Sequence, residues 1–401
     1  MEKTLDIVVA GHICLDIFPA FPASMTGDIN KIFSAGQLTI IDKAVLSTGG
    51  AVSNTGLSLV KLGCRVELMA KVSGDLFGRE IKAILSRHTA GLSGIKTIRS
   101  ESSSYTIVIA LPGVDRIFLH NPGTNNTFGY KDINFNSVKK ARLLHLGYPT
   151  LLRKLYLNGG SELLKIFKKT KSLGVVTSLD ITVPDPASEA GKVNWKKILI
   201  KILPYTDVFL PSIEEALYIF NRRRYYEIKN AAGSRDPVDY FTLKDLTGVA
   251  DKMLGYGVKI AVIKCGHRGY YLKTAPAPVI KKLPINMREW AGKEIWVPCF
   301  RVKKVVSATG AGDASIAGFL SALVKGFPAL RAAKCATAAG AQNVTRMDAL
   351  SGIKDWKTII TMALSKKAGI KYFKIKDKNW FFNKKERVWV SKEGQQPPFI
   401  L

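Results

Sequence analysis

The sequence contains few cysteines, and all five are isolated from one another. No C-x-x-C pair occurs, and the five histidines form no H-x-x-x-H pattern. These absences argue against a zinc site and a disulfide framework, and they favour reduced thiols. No apolar run reaches the roughly 18 residues that a membrane-spanning helix needs, and the first residues lack the pattern of a secretory signal peptide. We therefore expect a cytoplasmic protein.

Acidic residues are also scarce, since 31 Asp and Glu face 60 Lys and Arg, which gives a net charge of +29. Such an excess suits an anionic partner such as a nucleotide, a nucleic acid or a membrane surface. Because the charge is spread along the chain, a solvated basic surface explains it better, and we expect neither a nucleic-acid nor a membrane partner. The tail 370–401 mixes basic and aromatic residues. It either grips single-stranded nucleic acid or forms a hairpin, and we favour the hairpin.

The 401 residues, 47% of them hydrophobic, suffice for a large core. Predicted strands and helices alternate, which indicates an α/β fold with a mainly parallel central sheet and helices on both faces. Segments 12–48 and 95–128 are strand-rich and predict a small β-rich lid over the carboxyl edge of the sheet.

We predict a main domain over 1–369, a basic and aromatic extension over 370–401, and a loop over 221–241. The main predicted strands are 5–11, 65–74, 141–147, 175–181, 207–212 and 259–266, and the main predicted helices are 50–63, 75–88, 161–174, 194–203, 213–220, 242–257, 313–325 and 329–346.

The stretch SATGAGDASIAGFL places Gly310, Ala311 and Gly312 before an acid, Asp313, and a helix-forming apolar run. Consecutive backbone amides at a helix N-terminus form an anion hole suited to phosphate. A carboxylate beside such a hole suits a general base that takes a proton from an attacking hydroxyl. The same aspartate is also an ordinary helix cap, so the motif alone leaves both roles open.

A second glycine motif, STGGAVSN, lies at a predicted strand-to-helix turn. Gly49 and Gly50 allow a ligand to approach the backbone, and Asn54 can bond a hydroxyl. Asp16, just past the first strand, can accept two hydroxyl donors of a polyol.

With these two motifs in this order, the sequence resembles the PfkB family of carbohydrate kinases, which have the ribokinase-like fold, over roughly residues 5–350. The N-terminal signature is similar to STGGAVSNTGLSLVKLGCRVELMAKVSGDLFG, and the C-terminal one to ATGAGDASIAGFL. No Walker A sequence is present, so a P-loop kinase is not supported. The resemblance implies transfer of phosphate from ATP, with Mg²⁺, to a sugar or sugar-like alcohol. It implies that Asp313 is the base and that the amides of Gly310–Gly312 hold the phosphoryl group. Asp16, Gly49, Gly50 and Asn54 would contact the sugar.

Further elements of the resemblance concern the nucleotide and the metal. LPSIEEA resembles the family's N-x-x-E element, so Glu215 would organise magnesium indirectly, through water. By the same resemblance, four residues would line the nucleotide: Lys264, Gly266, Gly269 and Thr337. The chain departs from the family pattern at Ser212 for asparagine, at Ser307 for aspartate, and at Thr182 in D-x-N-x-R. These departures put monovalent-cation activation in doubt and leave Asp180 as a loose candidate.

Two alternatives stay open from the sequence. A nucleoside kinase of the same fold would need an apolar slot in the lid, which Phe18, Phe21 and Phe33 can supply as readily as they supply ordinary packing. A sugar- or nucleotide-binding regulator without turnover would explain the altered motif positions, but it has no need of Asp313.

A homodimer through the lid is compatible with the resemblance. His12 and His267 are expected to be packed or hydrogen-bonded rather than catalytic, and Arg116 is expected on a surface strand.

Overall fold

The computed structural model describes residues 3–22, 25, 35–89, 91–111 and 117–393. Phe33, Arg116 and the predicted turn at 112–113 lie outside these ranges. Most predicted strands and helices are found within a few residues of their expected bounds. The strands are β1 (Leu5–Gly11), β2 (Cys14–Ala20), β3 (Asp42–Gly49), β4 (Val66–Ser73), β5 (Ile95–Ile98), β6 (Tyr105–Ile109), β7 (Ile117–Asn121), β8 (Ala141–Gly147), β9 (Val176–Asp180), β10 (Val208–Phe209), β11 (Ile260–Lys264), β12 (Tyr270–Thr274), β13 (Glu294–Val297), β14 (Trp380–Asn383) and β15 (Val388–Ser391).

The α-helices fall mainly between the strands, as the alternating pattern predicts. They are α1 (Ala51–Lys61), α2 (Leu76–Ser86), α3 (Phe135–Lys140), α4 (Arg153–Ser172), α5 (Glu189–Lys192), α6 (Trp195–Ile202), α7 (Ile213–Phe220), α8 (Arg222–Ala232), α9 (Leu243–Gly255), α10 (Ala277–Ile280), α11 (Met287–Trp290), α12 (Ala311–Val324), α13 (Ala329–Asn343) and α14 (Trp356–Leu364). Short 3₁₀ helices cover Gly123–Thr127, Tyr130–Asp132, Pro149–Leu151, Leu203–Tyr205, Pro237–Asp239 and Gly266–Arg268. Within α4 the chain leaves helical geometry at 157–160, so its regular part begins where the sequence predicts, at 161.

The large sheet has the strand order β14-β15-β13-β12-β11-β10-β9-β8-β1-β4-β5. Seven neighbouring strands, from β11 to β5, run parallel. The four beyond β11 pair antiparallel. Continuous apolar strands such as IVVA in β1 are buried on both faces, which is why helices must cover both sides. One core lies under α1, α2, α12, α13 and α14, and the other under α4, α6, α7 and α9.

A smaller sheet with the order β3-β2-β6-β7 forms beside the carboxyl edge of the large one. Its strands come from the two strand-rich segments that predict the lid, so the prediction of a second small sheet is confirmed. β5 differs from that expectation, because it pairs with β4 in the large sheet.

The C-terminal hairpin predicted from the tail is present, since β14 and β15 pair antiparallel. β15 also pairs with β13, so the hairpin extends the large sheet. The division of the chain at 369 stays a prediction. The loop predicted over 221–241 is wrong, because Arg222–Ala232 is helix α8. Its buried Tyr225, Ile228 and Ala232 are spaced three and four apart, an apolar stripe among many charged residues.

Among the described residues, no helix combines the length and apolar character that crossing a bilayer requires.

Candidate active site

The polar residues of the site meet at the carboxyl edge of the parallel strands. His12 and Tyr148 directly follow β1 and β8, while Asp180 and Lys264 end β9 and β11. The N-terminus of α12 approaches the same edge and brings Asp313. Ligands of open α/β sheets bind at this edge, because the loops that leave the strands converge there.

Asp313 is 3% exposed and lies in the first turn of α12. Its carboxylate accepts hydrogen bonds from three side chains. Asn54 Nδ2 donates to Oδ2 at 3.1 Å, and Thr55 Oγ1 donates to Oδ1 at 3.0 Å. The Tyr148 hydroxyl lies 2.9 Å from both oxygens. Burial, reinforced by the Asp313 charge, raises the pKa of Tyr148 well above its ordinary value, so the phenol stays protonated and remains a donor.

The glycines before Asp313 form a tight entry into α12. Gly310 has φ 70°, and a Cβ there would lie 2.3 Å from that of Ala349. At Gly312, by contrast, a Cβ would meet only the Lys264 side chain, at 3.8–4.0 Å, so the space above this residue is open. The amide of Ala311 already donates to the carbonyl of Ala308 at 3.2 Å. The first-turn amides of a helix have no carbonyl partner within the helix, which leaves Gly312 as the open part of the predicted anion hole.

Lys264 lies beneath this hole in a buried cluster of charges. Its Nζ is 2.6 Å from Asp180 Oδ1 and 3.7 Å from Glu215 Oε2. Burial opposes a charged lysine, yet the Asp180 and Glu215 carboxylates raise the pKa of Lys264 above its ordinary value. Burial raises the pKa of Asp180 and of Glu215, and Lys264 opposes both shifts. The ammonium is therefore the positive centre of a largely acidic cluster.

Glu215 is positioned by a capping box at the start of α7. The Ser212 hydroxyl accepts from the Glu215 amide at 3.1 Å, and Glu215 Oε2 accepts from the Ser212 amide at 2.5 Å. Serine at this position thus performs the helix-capping role directly, and it turns the Glu215 carboxylate toward Lys264.

The second glycine motif holds a different pair of polar residues. A Cβ on Gly49 would lie 2.2 Å from Asp16 Oδ2, and one on Gly50, whose φ is 88°, would lie 2.5 Å from His12 Nδ1. Both glycines are therefore required by the side chains that pack on them. The turn begins at these two glycines and leads into α1, which carries Asn54. It therefore connects the surroundings of Asp16 to Asn54, a hydrogen-bond donor to Asp313.

Asp16 lies on β2, at the interface between the small sheet and this turn. Its Oδ1 accepts from Cys14 Sγ at 3.2 Å. Burial raises the pKa of Asp16 to about 6, although hydrogen bonds from Cys14 and Thr106 oppose the shift. Thr106 in turn bonds His120 Nδ1 at 3.0 Å. Asp16 is thus a half-buried carboxyl group whose charged form is disfavoured by burial, and its contact with a sugar stays a prediction.

His12 is packed, as the sequence predicts, but neither ring nitrogen has a hydrogen-bond partner within the described part of the chain. Its ring lies 5.3 Å from that of His120 and 6.3 Å from that of Tyr148. Burial, with a smaller effect of His120, lowers the pKa of His12 to about 3, so the imidazole is neutral. His267 is hydrogen-bonded, with Nε2 2.8 Å from Asp239 Oδ1.

The remaining residues predicted to line the nucleotide are explained by local packing. A Cβ on Gly269, whose φ is 100°, would lie 2.0 Å from the carbonyl oxygen of Val297, and Gly266 has φ 50°. These glycines close the turn between β11 and β12. Thr337 is buried in α13, and its hydroxyl donates to the carbonyl of Lys334 at 2.9 Å. Their contact with a nucleotide stays a prediction.

The fold thus gathers Asp313, Asn54, Lys264 and Glu215 at one edge, together with Asp180. Sequence reasoning missed Thr55 and Tyr148 as partners of Asp313. A signal for Tyr148 existed, because it directly follows a predicted strand in HLGYPT. Thr55 carried no such signal, since only tertiary packing turns it toward α12.

Within the described ranges, no three or more His, Cys, Asp and Glu side chains form a cluster suited to hold a metal ion. One buried acceptor is nevertheless free there, because Asp180 Oδ2 has no hydrogen-bond partner among the described residues. Magnesium keeps several waters and takes only one or two carboxylates alongside substrate phosphates. Asp180 and Glu215 fit that mode of binding.

Comparison with known proteins gives a consistent result. Residues 7–356 match the protein family described as pfkB family carbohydrate kinase. An uncharacterized sugar kinase of Archaeoglobus fulgidus is 28% identical over 271 residues, which cover 67% of this chain and 87% of the relative. A 5-dehydro-2-deoxygluconokinase of Clostridium perfringens is 24% identical over 348 residues, which cover 86% and 88%. The crystal structure of a putative ribokinase II from E. coli, in complex with ATP and Mg²⁺, superposes with a TM-score of 0.64 at 21% identity, over 89% of this chain and 98% of that one.

Proposed function

The chain belongs to the pfkB family of carbohydrate kinases, and we propose that it transfers the γ-phosphoryl group of ATP to a hydroxyl group of a sugar or sugar-like alcohol. The observation that carries this proposal is the position of Asp313. Its carboxylate lies in the first turn of α12, next to the open backbone at Gly312. A base and an anion hole on the same helix turn are the two groups that such a transfer needs.

In the proposed reaction, the acceptor oxygen forms a bond to the γ-phosphorus, and the bond from that phosphorus to the β–γ bridging oxygen breaks. The hydroxyl proton passes to Asp313, and ADP leaves. Asn54, Thr55 and Tyr148 hold the carboxylate in one orientation through their hydrogen bonds. Preorganised groups of this kind lower the barrier because they need no rearrangement during the reaction.

The transferring phosphoryl group would lie at the N-terminus of α12, against the amides of Gly310 and Gly312. Negative charge is favoured there by the helix dipole. Magnesium bound with ATP would neutralise and orient the phosphates, with Glu215, through water, and Asp180 as the residues that hold it. Gly266, Gly269 and Thr337 would line the rest of the nucleotide.

The acceptor would bind between the small sheet and the glycine turn, where Asp16 and Asn54 offer an acceptor and a donor for its hydroxyls. Gly49 and Gly50 keep this turn bare, so the acceptor can approach its backbone. Closure of the small sheet over the acceptor would exclude water, which otherwise competes as nucleophile.

The small sheet also supports the proposal of a homodimer. Its two edge strands expose apolar side chains, among them Val45 on β3 and Phe118 on β7, each 58% exposed. Exposed apolar residues on the two edge strands of a sheet favour pairing with a second copy.

Turnover against a panel of acceptors tests the proposal. ATP consumption, followed by coupled ADP release, is measured with pentoses, hexoses, sugar acids, inositols and nucleosides. We expect ADP release that depends on one class of sugar or polyol, with one phosphorylated product per ADP. Turnover with a nucleoside alone would favour the nucleoside kinase. ADP release that is the same with and without every acceptor would contradict the proposal.

A further inference from the structure

The buried cluster at the carboxyl edge contains more negative than positive charge. Lys264 contacts Asp180 and Glu215, and Asp313 acts on the same ammonium electrostatically. Two carboxylates therefore contact one lysine, and a third acts on it from farther away. Buried charges persist only when they are paired or coordinated, so this cluster needs a cation at its centre.

We propose that Lys264 is a tethered counter-ion, whose ammonium takes the place that a free metal ion would occupy between Asp180 and Glu215 in the protein without nucleotide. The lysine is held in this role by its surroundings. Its side chain is 13% exposed, its Nζ lies 2.6 Å from Asp180, and its stem runs beneath Gly312. An ammonium is a compact point charge with three donors, which suits a position between two carboxylates.

The unpartnered oxygen of Asp180 is an independent observation that supports this role. Oδ1 is paired with Lys264, whereas Oδ2 is buried without any hydrogen-bond partner in the described part of the chain. A buried carboxylate oxygen without a donor is costly. The cluster thus keeps a ligand atom available next to the place that Lys264 fills, and removal of the ammonium would leave two carboxylates suited to a divalent cation.

The inference differs from a direct role of Lys264 in binding phosphate. If Lys264 bound phosphate directly, its ammonium would move away from its carboxylate partners to reach the nucleotide. Replacement of Lys264 would then weaken ATP binding without creating a metal site. A tethered counter-ion, once removed, would let a free divalent cation enter. The inference concerns the protein without nucleotide, so its test is independent of phosphoryl transfer.

The chain offers a matched control at the opposite end of the sheet. Lys259 is also buried, and its Nζ is 2.5 Å from Asp207 Oδ1. Asp207 keeps a second partner, Lys171, at 2.7 Å. Loss of Lys259 therefore removes a buried lysine from a carboxylate without leaving an unbalanced acidic cluster.

The experiment measures binding of Mn²⁺ alone, without nucleotide, at about pH 8, by calorimetry and by the shift in Tm. The variants are K264M, K264Q, K259M and the double variant D180N/K264M. K264Q keeps an amide that can still donate to Asp180, so it tests the inference if K264M is unstable. We expect K264M and K264Q to bind Mn²⁺ at least about tenfold more tightly than the wild type, with a Tm raised by added metal. K259M should gain nothing, and D180N/K264M should lose the gain.

Three results would overturn the inference. The first is unchanged Mn²⁺ affinity in both K264M and K264Q, including the case in which only their ATP affinity falls. The second is an equal gain of affinity in K259M. The third is a gain that persists in D180N/K264M, because the metal would then bind elsewhere.

Discussion

The Tyr148 hydroxyl lies 2.9 Å from both carboxylate oxygens of Asp313. Tyr148 itself has a left-handed backbone, with φ 58° and ψ 48°. A non-glycine residue in this conformation costs about 1–3 kcal/mol, a cost met only where the surroundings enforce it. The strained turn after β8 thus directs a phenol at the proposed base, and it makes Tyr148 a positioning residue for Asp313.

Replacement of Tyr148 by Phe should lower kcat about 10- to 100-fold, because a hydrogen bond to a charged group is worth about 1.5–3 kcal/mol. The KM for ATP should stay close to the wild-type value, because the lost hydroxyl contacts the carboxylate of Asp313. Y156F is the matched control, since the Tyr156 hydroxyl contacts Glu189 instead. A wild-type kcat in Y148F, or a rise in KM without a fall in kcat, would exclude a positioning role.

The open space at Gly312 allows a direct test of the anion hole. G312A introduces no backbone clash, since its Cβ meets only the Lys264 side chain at 3.8 Å or more. Alanine also favours the helix by about 0.5–1 kcal/mol, so the variant should fold with equal or higher Tm. Its methyl group would occupy the place proposed for the phosphoryl group, and kcat should fall by about 100-fold or more.

G310A is the contrasting variant. Gly310 has φ 70°, and its added Cβ would lie 2.3 Å from Ala349. We expect G310A to lower Tm as well as turnover. Wild-type turnover in G312A would show that phosphate does not bind at this helix turn.

The raised pKa of Asp16 predicts a pH dependence of acceptor binding. Below its folded-state pKa of about 6 the carboxyl is protonated and loses its capacity to accept two hydroxyl donors. The KM for the acceptor should therefore rise as pH falls below about 6, while the KM for ATP stays constant. In D16N the acceptor KM should be high and independent of pH. An acceptor KM that is flat in the wild type from pH 5 to about 8 would contradict this role.

The same group contributes to stability with a definite sign. Unfolded, its carboxyl titrates near its ordinary pKa of about 4, so between pH 4 and 6 the folded state binds more protons than the unfolded state. The free energy of unfolding should then fall as pH rises through this window. D16N should remove this part of the dependence, as measured by urea unfolding at several pH values.

The proposed dimer predicts that a charge on either edge of the small sheet separates the subunits. V45K and F118K should sediment as monomers, because each buries a lysine at the proposed interface. L364K is the control, since Leu364 is 42% exposed on α14, which packs on α13. A monomeric wild type would refute the dimer.

The sequence allowed the layered fold to be predicted because its signals are local. LDIVVAG contains the continuous apolar run IVVA and ends in glycine, and Asp75 precedes an amphipathic helix that it does cap. Two glycine motifs marked the turns that carry Asp313 and Asn54. Helix α8 was not predicted, because its apolar residues form only a narrow stripe among basic ones. The helix becomes evident only when that stripe is seen to be buried in the folded protein.

The role of Lys264 shows why the rest could not be predicted. The resemblance to the kinase family indicated that Lys264, at the end of β11, lies on the nucleotide side of the site. Its contacts depend on Asp180 and Glu215, which lie 84 and 49 positions earlier in the chain. Such pairings across the sheet follow from strand order, which local patterns do not specify.

A single-turnover assay of D313N shows whether Asp313 accepts the proton of the acceptor hydroxyl. Transfer of labelled γ-phosphate to the acceptor is measured with enzyme in excess over ATP, alongside ATP affinity. We predict that D313N binds ATP as the wild type does, and that its transfer rate falls by at least about 100-fold. Transfer at the wild-type rate in D313N would show that Asp313 is not the base.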